Sequence, residues 1–86
     1  MISINGSWQA AAGTSYSAGI SNAVGPNLEV FGRFRGKSVP ISVKWIADGS
    51  EFTITVKLPK GKKGFLRLYV NDGSGNGTAH STVAVR

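Results

Sequence analysis

One histidine, four carboxylates and ten Lys/Arg side chains hold most of the chemistry open to this 86-residue chain. A Ser or Thr nucleophile needs a base that is itself held by a third group. The single histidine, His80, sits in the strand-like "TAHSTVAVR", and no serine lies in a "GxSxG" elbow. Acid–base work by paired carboxylates requires two acids converging on one reacting centre. Asp48 and Glu51 instead flank the turn "DGS", where Asp caps and Glu is solvated. A structural zinc site takes about four N or S ligands, and the chain has no cysteine. The loop "NDGSGNG" offers fewer oxygens than calcium takes and reads at most as a weak cation loop. The expectation is a non-enzymatic protein with no catalytic residue, no cofactor and no metal.

What remains is charge and aromatic surface. The formal net charge is +6, which favours an acidic or anionic partner, although charged residues are only 16% of the chain. The stretch "KLPKGKKGFLRLYVNDGSGNG" concentrates that charge. Its "GKKG" is not a phosphate-binding P-loop, because that motif opens a helix and here a strand follows. The glycines read as turn positions, and the lysines as guards against edge pairing. The functional reading is a basic patch: Lys57, Lys60, Lys62 and Lys63, with a second cluster at Arg33, Arg35 and Lys37. Whether the two clusters adjoin depends on topology. Phe65, Arg67 and Tyr69 alternate onto one strand face and, with Trp8, make a candidate contact face. A stacking platform for single-stranded nucleic acid would use such a face. A carbohydrate module would use Trp8, Trp45 or Tyr69, although Trp45 continues the inner face of its strand and reads as core.

The elements that must position these residues are strands. "SVPISVKWIA" alternates with Val39, Ile41, Val43, Trp45 and Ala47 on one face. "EFTITVKL" alternates with Phe52, Ile54, Val56 and Leu58 inward, and the Asp-Gly turn between the two predicts a β-hairpin. "FLRLYV" turns Leu66, Leu68 and Val70 inward, and the last strand does the same with Val83 and Val85 while His80 and Thr82 face outward. In the first half, "ISINGSW" is a strand using Ile2 and Ile4, with the place of Trp8 left open. "NLEVFGRFR" is another, with a bulge expected at Gly32. "QAAAGTSYSAGISNAVGPN" is weakly patterned and reads as a strand plus loop. The fold class is therefore all-β: one antiparallel sandwich of six or seven strands spanning residues 1–86, with a small barrel as the alternative.

The second half resembles the immunoglobulin-like domains of bacterial and viral surface proteins, including PKD-like ones. The likeness is carried by Trp45, by the turn Asp48-Gly49, by "LPKGKKGFLRLYV" as a glycine corner leading into a core strand, and by "NDGSGNGT" leading into "TVAV". The resemblance implies a sandwich and leaves function open, because this fold carries unrelated tasks. The cysteines and the tyrosine corner of antibody-type domains are absent. The chain shows no signal peptide and no apolar run long enough to span a membrane. It is small and cysteine-free, and reads equally as a complete product or as a domain of a larger secreted protein. The expected role is structural: a module docking on a larger protein assembly or on its own copies, in the form of a phage or virus capsid-associated (decoration or head-stabilising) protein. Its expected location is the virion or the host cytoplasm. The alternatives are a carbohydrate-binding or adhesin-type module and a basic single-stranded nucleic-acid-binding protein.

Overall fold

Alternation of apolar and polar residues is resolved into two packed sheets in the computed structural model of the chain, which describes residues 2–23, 28–47, 51–71, 73 and 78–86. Among the described residues nine strands run β1 (Ser3–Asn5), β2 (Gln9–Ala10), β3 (Ser15–Ser21), β4 (Glu29–Phe34), β5 (Lys37–Ser38), β6 (Ser42–Ala47), β7 (Glu51–Lys57), β8 (Gly64–Asn71) and β9 (Thr78–Val85). Sheet A has the order β1-β3-β7-β6, and sheet B has the order β2-β9-β8-β4-β5. The sheets do not close into a barrel. The excess over six or seven strands comes from β1, β2 and β5, each only two or three residues long.

The core lies between the sheets and follows the predicted alternation in the second half. Phe52, Ile54, Val56 and Leu58 from β7 and its exit meet Leu66, Leu68, Val70, Val83 and Val85 from β8 and β9, all buried. Tyr16, Ala18 and Ile20 of β3 and Phe34 of β4 complete it. Burying these side chains removes apolar area from water at about 25 cal/mol per Å². The Tyr16 hydroxyl donates to the Ser7 carbonyl at 2.6 Å, which pins the β1–β2 connection to β3. Burial raises the Tyr16 phenol above its ordinary value of 10.0.

The structure departs from the sequence reading in three places. "SVPISVKWIA" is not one strand. Lys37 and Ser38 pair with β4 in sheet B, and the chain then crosses to sheet A, where Ser42 to Ala47 pair with β7. Val39 and Ile41 pack against the core from this crossover. Val43 and Trp45 are 42% and 50% exposed, because β6 is the edge of its sheet and the opposing edge strand, β5, spans only two residues. Trp45 rests on Phe52, with ring centroids 5.0 Å apart, and is not a core residue. The expected bulge at Gly32 is absent: β4 pairs with β8 in continuous register from Glu29↔Asn71 to Phe34↔Leu66. Gly32 is there because Val39 and Ile41 lie over it, with their methyl carbons 2.9 Å from where a Cβ would stand. The irregularity falls instead in β6, between Trp45 and Ala47. Trp8, left open by the sequence between the first strand and the contact face, is 69% exposed. Finally, "QAAAGTSYSAGIS" contains the expected strand, β3, but a short parallel pairing of β2 with β9 precedes it, which an all-antiparallel sandwich does not include. The expected turn at 48–50 joins two strands that do pair as an antiparallel hairpin, but the turn itself lies outside the described residues, as does most of "NDGSGNG", with its suggested cation loop.

Candidate functional site: the outer face and basic end of sheet B

Because β4, β8 and β9 each send alternate residues into the core, the intervening residues form rows across the outer face of sheet B. One row is Phe31–Tyr69–His80, paired across three strands. The Phe31 and Tyr69 ring centroids are 6.1 Å apart, and those of Tyr69 and His80 are 4.9 Å apart, both tilted pairs. The next row is Ser38–Arg33–Arg67–Thr82. Phe65, paired with Ala84, begins the row beyond it. Successive rows stand about 7 Å apart, two strand residues each. Phe31 is 53% exposed and Phe65 60%. A shallow groove of about 490 Å³ runs over the first two rows, lined among others by Phe31, Arg33, Arg67, Tyr69 and His80.

Arg33 and Arg67 are direct cross-strand partners. Their Cα atoms are thus about 4.5–5.5 Å apart, and like charges in that position oppose pairing. The acid of this face, Glu29, is four residues up β4 from Arg33, about 13 Å away along the strand.

The two predicted basic clusters do adjoin. The β4–β5 turn consists of Arg35 (φ 55°) and Gly36 (φ 78°), both left-handed, which is the type I′ arrangement that matches sheet twist. It lies beside the 58–63 connection: the Arg35 guanidinium donates to the Lys63 carbonyl at 2.6 Å. A second hollow, of about 600 Å³, is lined by Arg33, Arg35, Gly36, Lys63, Gly64, Phe65 and Arg67. A third brings Lys37 and Lys62 together around Pro59. Lys60 reaches the Gly13 turn, and Arg86 is tied to Ala10 at the same end by its backbone. Lys57, opposite Ser15, closes β7 at this end and is exposed. Glu29 and Glu51 begin β4 and β7 at the opposite end, while Asp48 and Asp72 lie outside the described residues. The surface is therefore polar in charge from end to end.

Phe65, Arg67 and Tyr69 share one face as expected. Trp8, at the β2 edge of sheet B, lies off their rows. Trp8, Trp45 and Tyr69 fall on the β2 edge, the β6 edge and the middle of sheet B, so they do not form one sugar-stacking platform. Phe31 was missed by the sequence reading. Its signal was the alternation Val30, Gly32, Phe34 inward, obscured by treating Gly32 as a bulge. His80 is a member of the aromatic row, packed on Tyr69. Among the described residues, no three His, Cys, Asp or Glu come together as a metal site. No helix there is long and apolar enough to cross a membrane.

No family model and no curated protein matches the chain. Solved structures do. The M1 domain from titin matches with a TM-score of 0.60 at 12% identity, over 100% of this chain and 91% of that one. The twitchin kinase region from C. elegans matches with a TM-score of 0.58 at 14% identity, over 99% of this chain. The chain spans only 15% of that multidomain region. At such identities the likeness concerns fold alone, and the fold is immunoglobulin-like.

Proposed function

We propose that this immunoglobulin-like chain is a non-enzymatic interaction module that docks on a larger protein assembly through the outer face of sheet B. The observation that carries this reading is the solvent-open Phe31–Tyr69–His80 row, flanked by Arg33 and Arg67. Aromatic and arginine side chains clustered at the centre of a patch are the composition of binding hot spots. Phe31 and Tyr69 support the sheet as a cross-strand aromatic pair, and the 53% exposure of Phe31 leaves apolar area for a partner to cover. The net charge of +6 suits an acidic partner surface. A phage or virus capsid remains the assembly favoured, for the reasons of size, composition and family resemblance given by the sequence.

A photo-crosslinking amino acid placed at Phe31 in producing cells tests the reading. The expected result is one recurrent partner that co-sediments with large particles and is lost on Arg67→Glu. The same crosslinker at Thr53, on the outer face of sheet A, should not capture it. Equal capture from both faces would overturn the docking assignment. A sharp glycan-array response lost on changing Tyr69 would move the module to the carbohydrate-binding class.

A further inference from the structure

The basic end of sheet B carries a second feature beyond the aromatic row, sharing only Arg33 and Arg67 with the docking patch. The exposed ring of Phe65 shares a hollow with Arg33, Arg35, Lys63 and Arg67, lined also by Gly36 and Gly64. From this arrangement we infer a binding site for single-stranded nucleic acid, with a base stacked on Phe65 and the flanking phosphates held by the four cations.

Three observations converge on this occupant. Among the described residues the cations stand apart from acids: Glu29 and Glu51 are at the opposite end, and the like-charged pair Arg33–Arg67 opposes its own pairing, which an anion between them would relieve. A phosphate diester supplies that anion and accepts charge-assisted hydrogen bonds from guanidinium groups. Next, Arg35 occupies a left-handed position where Asn or Gly would be the ordinary choice, at a cost of about 1–2 kcal/mol for most residues. Its hydrogen bond to the Lys63 carbonyl fixes the guanidinium at the rim of the hollow. Strain retained beside a pre-set cation is characteristic of binding sites. Last, Phe65 is 60% exposed in the middle of this charge, and an accessible aromatic ring between cations is the device by which single strands are held without sequence preference. A duplex hides its bases and offers Phe65 nothing to stack on. Lys62 and Lys37, around Pro59, extend the cationic track beyond the hollow.

Fluorescence anisotropy with labelled 20-nucleotide oligo(dT) and oligo(U), each against a duplex of the same length, tests the site on the whole chain. The dT and U arms separate DNA from RNA as the source of the strand. Neutralising about four phosphates gives a slope near −2.8 for log affinity against log salt, so binding should weaken about 50-fold between 50 and 200 mM salt. Phe65→Ser should cost about 5- to 150-fold with the salt slope unchanged. Phe65→Trp should restore or strengthen binding. Arg33→Ser with Arg67→Ser should flatten the slope by about 1.4. Arg35→Asn, which suits the turn, should flatten it by about 0.7 with no loss of thermal stability. The inference is overturned if neither strand binds at 50 mM salt, if the duplex binds as tightly, or if Phe65→Ser leaves affinity unchanged. It is equally overturned if heparin of equal charge displaces the strand and itself loses affinity on Phe65→Ser, which would assign the hollow to sulfated polysaccharide.

Discussion

Replacing Trp45 by alanine separates an edge residue from a core residue. A fully buried tryptophan removes about 150–250 Å² from water. With Trp45 50% exposed, roughly 100 Å² of it is covered, chiefly by Phe52. At about 25 cal/mol per Å² that is at most about 2.5 kcal/mol, and compactness of the unfolded chain trims it to about 2. Phe52, at 0% exposure, should cost about 3–5 kcal/mol when cut to alanine, because a cavity is left between the sheets. Urea unfolding followed by circular dichroism would measure both, with an unchanged slope in denaturant confirming that only stability moved. A second readout uses the Trp8→Phe protein, in which Trp45 is the sole indole: its emission should be quenched by acrylamide in the folded state. If Trp45→Ala costs as much as Phe52→Ala, or if Trp45 emission is shielded, then β6 is covered and the account of sheet A's edge is wrong.

Gly6→Ala should destabilise by about 1–3 kcal/mol, because the new methyl would stand 2.6 Å from the Tyr16 hydroxyl and 2.9 Å from the Ala18 methyl; thermal melts would measure it. Gly32→Ala should cost about as much, and Ile41→Val in the same chain should recover part of the loss, since the Ile41 methyl is one of the atoms in the way; additive losses would show that the two sites do not touch. Tyr16 is held protonated more firmly in the folded chain than in the unfolded one, so its contribution is whole below pH 10 and fades as pH rises through the folded value. Unfolding free energy should therefore fall above pH 10 more steeply in the wild type than in Tyr16→Phe, and Tyr16→Phe should cost about 0.5–1.5 kcal/mol at neutral pH through the lost bond to Ser7.

How far the sequence could be read depended on whether both faces of a strand had a clear fate. In β7, β8 and β9, large apolar residues alternate with polar ones, and every inward assignment from Phe52 to Val85 held. In β3 the inward residues include Ala18, and the outward ones are Ser15, Ser17 and Gly19, so the hydrophobic contrast that marks a strand was faint. β6 failed for the opposite reason: its alternation is clean, but alternation cannot reveal that the facing sheet stops short at β5, leaving Val43 and Trp45 uncovered. The parallel β2–β9 contact is two residues long, too short to leave a pattern. At the candidate site, Phe65, Arg67 and Tyr69 followed from period two within one strand. The union of the Arg33–Lys37 and Lys57–Lys63 clusters came only from the chain's path, because a type I′ turn and a long connection distant in sequence meet at the Arg35–Lys63 bond.

That β2 runs parallel to β9 bears on how the molecule takes mechanical load. Tension entering ahead of β2 and leaving after β9 pulls the two strands past each other along their length. The bonds from Ala84 to Trp8, from Arg86 to Ala10 and from Ala12 to Arg86 are then strained together, not peeled apart in sequence. A pull applied across that seam would therefore load its hydrogen bonds in shear.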